Sequence, residues 1–512
     1  MPTSTCDRDP SSPFCKTLLT LALVNLWVVP ASAQMLEPER SIKSTAIAQK
    51  PAAPLCQAQL PNAIRSVINK PEYERARWGI FVETLNRSRS ARRTLFGLDE
   101  NKLFTPASNN KLLTTAAALR TLGPNYRIRT AVYGDLTQPN PNLWVVGQGD
   151  PSLGTEQLQQ LAQQLQQKNV QQINRLIGDD RYFQGSAIHP MWDWEDVQAG
   201  YGAPINSLIF QQNAIDFTLI PQKLGQPLKL QWKDPSDAAQ WRVLNQSKTV
   251  SEKEEEYLEV GRDFATPTVY VRGQLQAGAA SEDVAISAPN PGDRFLQKLR
   301  RELASAGIKV QRTELATDAL PTNLTEVAIV QSPPLSQLIQ VTNQDSDNLY
   351  AEALLKTLGR LQNPTTDSTT AGVEVIRKVL TQGNLPPDSF AQVDGSGVAR
   401  RNLVSPEALV NLLQFMNQAP EASVFRASLP VAGVSGTLKN RFRGTAAEKI
   451  LQAKTGTLTG VVALSGYVTP KNYEPLVFSI VVNNTPAATR MLRQSVDDIA
   501  VLLARLDRCD TR

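Results

Sequence analysis

The sequence predicts an α/β fold (α+β) that is interrupted by a large, mostly β insertion of one or two domains. With 512 residues, the chain is longer than one hydrophobic core usually serves. Strand-like and helix-like segments mix before residue 127 and again from residue 334, whereas short strands separated by turn residues dominate between them. We therefore expect one domain formed by 58–126 and 334–512, with 127–333 inserted into it.

The N-terminus predicts export. Lys16 precedes an apolar run that is short for a membrane span, and Ala31 and Ala33 then supply the small residues of a cleavage site. We interpret 1–33 as a signal peptide cleaved after Ala33, which predicts a periplasmic or cell-envelope protein, and 34–57 as a linker. A retained N-terminal anchor is the alternative. No second apolar segment of about 20 residues follows.

Composition excludes some classes of function. Hydrophobic residues make up 41% of the chain, charged residues 20%, and the net charge is +5. The basic residues are scattered without interleaved aromatics, so we expect no nucleic-acid partner. Cys56 and Cys509 remain after signal cleavage, and in an oxidising compartment they either form a disulfide or stay free.

Periodicity and turn residues give the elements in order. Residues 78–85 and 87–98 predict a β-hairpin, and Ser108 to Leu122 predicts a helix stopped by Gly-Pro. The insertion carries strands at 129–136, 142–149, 214–220 and 266–275, with a glutamine-rich helix near 156–173. Later segments predict helices at 336–344, 348–361, 371–383, 405–418 and 493–506, and strands at 461–468 and 476–484.

Several kinds of active site are excluded by the residues present. His189 is the one histidine of the chain, and no G-x-S-x-G, H-E-x-x-H or phosphate-loop motif occurs. We therefore expect no metal and no cofactor. Nucleophilic catalysis without histidine needs another base, and lysine is the obvious one.

Ser108 and Lys111 have the spacing of a serine–lysine pair. At i and i+3 they share one helix face, and the positive end of the helix dipole favours negative charge developing at Ser108. Lys111 can act as a base only if burial or a neighbouring cation depresses its pKa. The alternative is a helix-capping serine followed by a surface lysine.

Two further motifs follow in order. Ser346-Asp-Asn348 lies on a loop that leads into a helix, and Lys454-Thr-Gly456 opens a strand. Each motif alone is a weak signal. Ser-Asp-Asn is also a good turn sequence, and Lys-Thr-Gly could begin any strand. In the order S-x-x-K, S-x-N, K-T-G they are typical of penicillin-binding proteins and serine β-lactamases. We therefore expect a penicillin-binding-protein/β-lactamase-like transpeptidase domain.

The chain also resembles one family within that group. The segments "NLWVVGQGDPSLG", "VDGSGVARRNLVSP", "SLPVAGVSGTLKNRF" and "AKTGTLTGVVALSGYV" are similar to the class C low-molecular-mass penicillin-binding proteins, the S13 D-alanyl-D-alanine carboxypeptidases/endopeptidases. The resemblance runs from about Leu60 to Leu506. Ser346 follows Ser108 by 238 residues. This spacing matches a family with extra domains between the first two motifs, whereas a class A β-lactamase has no room for such an insertion.

The resemblance implies the catalytic roles. Ser108 would be the acylated nucleophile, Lys111 its proton acceptor, and Ser346 a proton relay to the leaving group. Backbone N–H groups of Ser108 and Thr457 would form the oxyanion hole.

The resemblance also implies the substrate contacts. Asn348 would hold the substrate amide, and the strand from Lys454 would pair with the substrate backbone. Lys454 and the hydroxyls of Thr455 and Thr457 would recognise a free carboxylate. Gly456 would let the substrate come close to the strand.

The implied function is a serine DD-peptidase. It would remove the terminal D-Ala from peptidoglycan stem peptides, and could also cleave D-Ala–diamino-acid cross-links, through an acyl-enzyme at Ser108. β-Lactams would inhibit it by acylating the same serine. A β-lactamase or esterase of the same superfamily and a non-catalytic peptidoglycan-binding envelope protein are the alternatives.

Other residues carry open interpretations. Ser435 stands where many relatives have aspartate, which puts a role for its loop in doubt. Asp394 and Ser396 either border the site or form a tight turn. Trp192 and Trp194 either touch glycan or stem peptide or form a small aromatic core. We expect His189 to be structural.

Overall fold

The computed structural model describes residues 53–509. The predicted signal peptide and most of the predicted linker therefore lie outside the described residues. The helices are α1 (Leu60–Ile68), α2 (Lys111–Leu122), α3 (Thr155–Gln167), α4 (Pro235–Ala238), α5 (Pro291–Ser305), α6 (Leu335–Gln344), α7 (Asn348–Gln362), α8 (Ser368–Gln382), α9 (Pro406–Gln418), α10 (Ala422–Ala427) and α11 (Thr489–Ala504).

The strands fall into several separate sheets. They are β1 (Leu55–Cys56), β2 (Arg77–Thr84), β3 (Thr94–Leu98), β4 (Arg129–Gly134), β5 (Asn142–Gly147), β6 (Gln172–Asp179), β7 (Ala214–Ile220), β8 (Lys229–Trp232), β9 (Arg242–Val250), β10 (Tyr257–Arg262), β11 (Thr268–Gln276), β12 (Glu282–Ser287), β13 (Lys309–Leu315), β14 (Thr325–Gln331), β15 (Phe390–Ala391), β16 (Leu403–Val404), β17 (Leu451–Leu458), β18 (Val461–Val468), β19 (Leu476–Asn483) and β20 (Leu506–Asp507).

A five-stranded antiparallel sheet joins the two ends of the chain. Its order is β17-β18-β19-β2-β3, so the predicted N-terminal hairpin adds to strands that lie more than 350 residues later. Strands β18 and β19 are buried along their whole length, which explains their nearly continuous apolar sequence. Helices α1 and α11 cover one face of the sheet, and α9 packs on the other.

A helical layer surrounds α2. Helices α6, α7, α8 and α9 contribute to one core cluster with it, and the first nine residues of α2 are all buried. A helix that is buried all round needs no polar face, which accounts for the Ala/Leu-rich sequence of α2. Each fully buried leucine stabilises the fold by about 1.5–3 kcal/mol relative to an exposed one.

Residues between 129 and 331 form sheets of their own. A mixed sheet, β13-β6-β5-β4-β14, packs with α3 and α5, while β12-β7-β8 and β10-β11-β9 share a second core. This confirms the predicted combination of an α/β part with a mostly β part. Helix α5 is absent from the predicted elements, because charged residues interrupt its apolar stripe of Phe295, Leu299 and Leu303.

The two ends of the described chain meet. Strand β1 pairs in parallel with β20, and Cys56 forms a disulfide with Cys509 across a Cα–Cα distance of 5.4 Å. Leu55 and Cys56, which the sequence assigns to the linker, thus belong to the folded structure because this strand pair holds them. None of the helices between residues 53 and 509 is long and apolar enough to cross a membrane.

Candidate active site

Ser108 lies in a tight turn that leads into α2. Residues Ala107–Asn110 form a 3₁₀ helix, and Ala107 has a left-handed φ of +49°. The prediction that the α-helix begins at Ser108 is therefore wrong, because α2 begins three residues later, at Lys111. The capping alternative is also wrong, because the cap residue of α2 is Asn110. The turn places Ser108 ahead of the helix with its side chain toward Lys111.

Lys111 is completely buried at the start of α2. Its Nζ lies 3.0 Å from Ser108 Oγ and donates to Asn348 Oδ1 at 2.6 Å and to the carbonyl of Ser396 at 2.8 Å. Burial lowers the pKa of Lys111 to about 8, although the negative charge of Asp394, followed by those of two other carboxylates, opposes the shift. About a tenth of this amine is therefore neutral at pH 7, and only the neutral form can act as a base.

The second motif stands at the N-terminus of α7. Asp347 caps the helix by accepting from the backbone N–H of Tyr350 at 2.9 Å, and Ser346 has a left-handed φ of +61°. Both ends of the Asn348 amide are engaged: Oδ1 accepts from Lys111, and Nδ2 donates to the carbonyl of Tyr201 at 3.0 Å. A segment between the first two motifs in sequence therefore fixes the orientation of this amide.

The third motif lies on β17. Lys454 Nζ donates to Ser346 Oγ at 2.8 Å and to the carbonyl of Thr455 at 2.9 Å. Burial, and then the charge of Lys111, lower the pKa of Lys454 well below its usual value. The motif does not open the strand as predicted, because β17 begins at Leu451 and pairs with β18 from there.

Gly456 is required by packing. A Cβ at this position would lie 2.6 Å from the carbonyl oxygen of Pro106, so the strand can approach the Ser108 turn only with glycine here. This differs from the predicted reason, which was access for the substrate. Thr455 Oγ1 donates to Thr437 Oγ1 at 2.8 Å, and Thr457 is exposed. Thr437 was not predicted, although it lies in one of the segments that carry the family resemblance.

The outer edge of β17 is partly covered. The backbone N–H of Ala453 donates to the carbonyl of Pro430 at 3.0 Å, and this pairing stops there. From Lys454 to Leu458, no strand of the described chain pairs with that edge. An extended peptide could therefore pair with this edge as an added strand beside Ser108.

The turn at 394–397 supports Lys111. The carboxylate of Asp394 is fully buried and accepts from the backbone of Gly397 and Ala399, each at 2.7 Å, so the turn interpretation of Asp394 is correct. Ser396 borders the site through its carbonyl, which accepts from Lys111. The turn interpretation thus holds for Asp394, and the interpretation that the segment borders the site holds for Ser396.

Glu352 holds the same turn from behind and was not predicted. Its Oε1 accepts from the backbone N–H groups of Gly395 at 2.9 Å and Ser396 at 2.8 Å. Burial, and then the charge of Asp394, raise the pKa of this carboxyl. The available signal is its position four residues after Asn348, which puts both side chains on one face of α7.

The remaining candidates lie around this cluster. Ser435 Oγ accepts from the backbone of Val431 at 3.2 Å and so shapes its own loop. His189 contacts the carbonyl of Val393 at 2.9 Å, and the indole of Trp192 is buried and donates to Asp394 at 3.0 Å, which supports structural roles for both. Trp194 is 63% exposed and belongs to no core.

Chemically, the site pairs two hydroxyls with two buried amines. Ser108 lies beside Lys111, Ser346 beside Lys454, and Asn348 contacts the first lysine. No group of acidic, histidine or cysteine residues within the described part of the chain is suited to hold a metal ion. The arrangement is capable of nucleophilic attack by a serine with a lysine as proton acceptor.

Comparison with known proteins supports one assignment. The model of the D-Ala-D-Ala carboxypeptidase 3 (S13) family matches residues 60–506. A D-alanyl-D-alanine carboxypeptidase of an Actinomadura species is 31% identical over 466 residues, covering 87% of this chain and 84% of the relative. A penicillin-sensitive carboxypeptidase A of Dictyostelium discoideum is 27% identical over 457 residues, 84% of this chain and 87% of the relative.

The fold is similar to that of a solved structure. Penicillin binding protein 4 of Haemophilus influenzae matches with a TM-score of 0.73 and 22% identity, covering 87% of this chain and 98% of that one. At this identity the match concerns the fold. It spans both the antiparallel-sheet part and the mostly β part of the chain.

Proposed function

The chain belongs to the S13 family of D-Ala-D-Ala carboxypeptidases and is a penicillin-binding serine DD-peptidase, and we propose that Ser108 is its nucleophile. The observation that carries this proposal is the hydrogen-bond cluster formed by Ser108, Lys111 and Asn348 beside Ser346 and Lys454. Residues from three distant segments converge there around one serine that has a buried amine at 3.0 Å.

Acylation begins with attack by Ser108. Its Oγ forms a bond to the carbonyl carbon of the penultimate D-Ala while its proton passes to the neutral Nζ of Lys111. Backbone N–H groups of Ser108 and Thr457 stabilise the oxyanion. The C–N bond then breaks, and the proton returns through the Ser346 hydroxyl to the departing amine of the terminal D-Ala.

Deacylation reverses the same proton path. A water molecule attacks the ester carbonyl, and its proton passes to Lys111 as the new C–O bond forms. The bond to Ser108 Oγ then breaks, and the serine regains a proton. The shortened stem peptide leaves with a free carboxylate.

Substrate binding uses the free edge of β17. A stem peptide ending in D-Ala-D-Ala lies along residues 454–458 as an added strand, with its amide held by Asn348. The Nζ of Lys454 and the hydroxyls of Thr455 and Thr457 receive the terminal carboxylate by donating hydrogen bonds to it. Support for this comes from the unpaired edge of β17 and the exposed side chain of Thr457.

We also propose the domain limits and location predicted from the sequence. Residues 58–126 and 334–512, together with the paired strand Leu55–Cys56, form the peptidase domain, and 127–333 is inserted between the first two motifs. Residues 1–33 act as a signal peptide cleaved after Ala33, and the mature protein works in the cell envelope, where its peptidoglycan substrate is found. Sequencing the N-terminus of the mature protein tests the cleavage site.

Purified muropeptides test the reaction. We expect wild type to release D-Ala from pentapeptide monomers, detected by mass spectrometry, and Ser108→Ala to release none. Cleavage of cross-linked dimers in the same digest measures endopeptidase activity. Absence of both reactions in folded wild type would contradict the substrate assignment. The comparisons do not favour the β-lactamase, esterase or non-catalytic alternatives.

A further inference from the structure

Two exposed aromatic rings form a pair outside the catalytic cluster. Trp194 is 63% exposed and Phe264 47% exposed, and their ring centroids lie 5.4 Å apart with planes tilted by 31°. They come from different segments, one following His189 and the other in the turn between β10 and β11. We call this pair the aromatic platform. Tryptophan is enriched at binding surfaces, because its ring offers a large apolar face together with a polar N–H group.

The platform is rigidly supported. The guanidinium of Arg262, a residue only 4% exposed, lies 4.9 Å from the ring centroid of Phe264, and its Nε donates to Ser287 Oγ at 3.0 Å. The Ser287 hydroxyl in turn donates to the carbonyl of Val197 at 2.6 Å, three residues after Trp194. One serine thus ties together the two segments that carry the rings.

The segment that carries Trp194 also borders the active site. Asp193 pairs with Arg400 at 3.5 Å, and Arg400 donates to the carbonyl of Thr459, just beyond the free edge of β17. At the other end of the segment, Tyr201 accepts from Asn348 through its carbonyl. One end of the segment therefore contacts Asn348, which is proposed to hold the substrate amide, and the other end reaches Thr459, next to the strand proposed to pair with the stem peptide.

We propose that the aromatic platform binds a pyranose ring of the glycan strand to which the stem peptide is attached. This inference rests on the proposed function, because a stem peptide lying along β17 brings its glycan to the rim of the site. The C–H face of a pyranose packs on an aromatic ring, while carboxylates beside the ring, such as those of Asp193 and Glu195, accept from sugar hydroxyls and amides.

The size and charge of the surface argue against other occupants. Two partly exposed rings offer far less than the roughly 800 Å² that each partner of a stable protein complex buries. Asp193 and Glu195 are both exposed and flank Trp194 in sequence, and their negative charge disfavours an anionic polymer. A neutral sugar is small enough for two rings, and its apolar face and hydrogen-bond donors suit an aromatic surface beside carboxylates.

Paired substrates test the proposal. Wild type should cleave a disaccharide-linked pentapeptide with a kcat/KM about tenfold higher than the same pentapeptide without sugars, mainly through a lower KM. Trp194→Ala should lose this preference, while its cleavage of the free pentapeptide and its acylation by penicillin stay at the wild-type level. Trp194→Phe should retain part of the preference. Tyr257→Ala, which removes an exposed aromatic at the far end of β10, is the control and should keep all of it.

Each other outcome overturns the proposal. Equal rates of wild type on the two substrates, or a preference that survives in Trp194→Ala, would show that the platform does not bind the sugar. An equal loss on both substrates would mean that Trp194 acts on the catalytic cluster instead. Folded wild type that cleaves neither substrate would overturn the proposed function, and this inference with it.

Discussion

Glu352 is connected to Lys111 through a single residue. The carboxylate of Glu352 accepts from the backbone N–H of Ser396 at 2.8 Å, and the carbonyl of Ser396 accepts from Lys111 Nζ at 2.8 Å. Glu352 is fully buried and acts on Lys111 through this turn. We regard it as a positioning residue for the proposed base.

Replacing Glu352 should therefore change both the rate of acylation and its pH profile. Glu352→Gln weakens the hold on the turn, and we expect the maximal rate of penicillin acylation to fall about tenfold, the effect of about 1.4 kcal/mol. Because the charge of Glu352 raises the pKa of Lys111, its loss should also move the pH profile toward lower pH. Stopped-flow acylation over a range of pH measures both effects.

Glu374→Gln is the matched control for this prediction. Glu374 is an exposed acid on α8 and makes no hydrogen bond to the turn at 394–397, so its replacement should leave rate and profile unchanged. An unchanged rate together with an unchanged profile in Glu352→Gln would show that the turn holds Lys111 without help from Glu352.

Lys111 should set the pH dependence of acylation. Its pKa is lowered to about 8, and only the neutral amine accepts the serine proton. The second-order rate constant should rise about tenfold per unit from pH 6 to 7 and level off above about pH 9, as the neutral fraction does. An acylation rate constant that does not change between pH 6 and 8 would argue against a lysine with this pKa as the base.

Gly456→Ala should damage the site through packing alone. The new methyl group would lie 2.6 Å from the carbonyl of Pro106, which forces β17 and the Ser108 turn apart. We expect a loss of about 1–3 kcal/mol in the free energy of unfolding and a fall in acylation rate larger than tenfold. Gly97→Ala is the control, because its Cβ would meet only the flexible side chain of Glu100. Equal behaviour of the two variants in urea unfolding and penicillin acylation would contradict the packing role of Gly456.

The disulfide should stabilise the fold without affecting catalysis. Cys56 and Cys509 are 453 residues apart, so the bond removes much freedom from the unfolded chain. A double change to serine should cost about 2–4 kcal/mol in urea unfolding and leave penicillin acylation unchanged. Reductant should destabilise wild type similarly and the double variant not at all. If the urea midpoint of the double variant equals that of oxidised wild type, the disulfide contributes no stability.

The elements that depend on local residue patterns were predicted correctly. Alternation predicted the hairpin of β2 and β3, and unbroken apolar runs predicted the buried strands β18 and β19. The three motifs were found because each needs particular residue types at a fixed spacing. Their convergence into one cluster could be inferred only from their joint order and the family resemblance.

The missed features depend on tertiary contacts. The 3₁₀ turn at Ser108 requires a left-handed Ala107, a conformation that alanine does not favour locally and that the surrounding packing imposes. The contact of Tyr201 with Asn348 uses a backbone carbonyl, which every residue type offers. Glu352 resembles any helical glutamate until the turn 43 residues later is folded against it.

Identifying the residue that penicillin acylates tests the central claim most directly. Wild type should be incubated with penicillin, digested, and the modified peptide sequenced by mass spectrometry, with Ser108→Ala treated in parallel. We expect one penicilloyl adduct on Ser108 in wild type and none in the variant. An adduct on another residue, or an adduct that forms at the wild-type rate in Ser108→Ala, would contradict the assignment of Ser108 as the nucleophile.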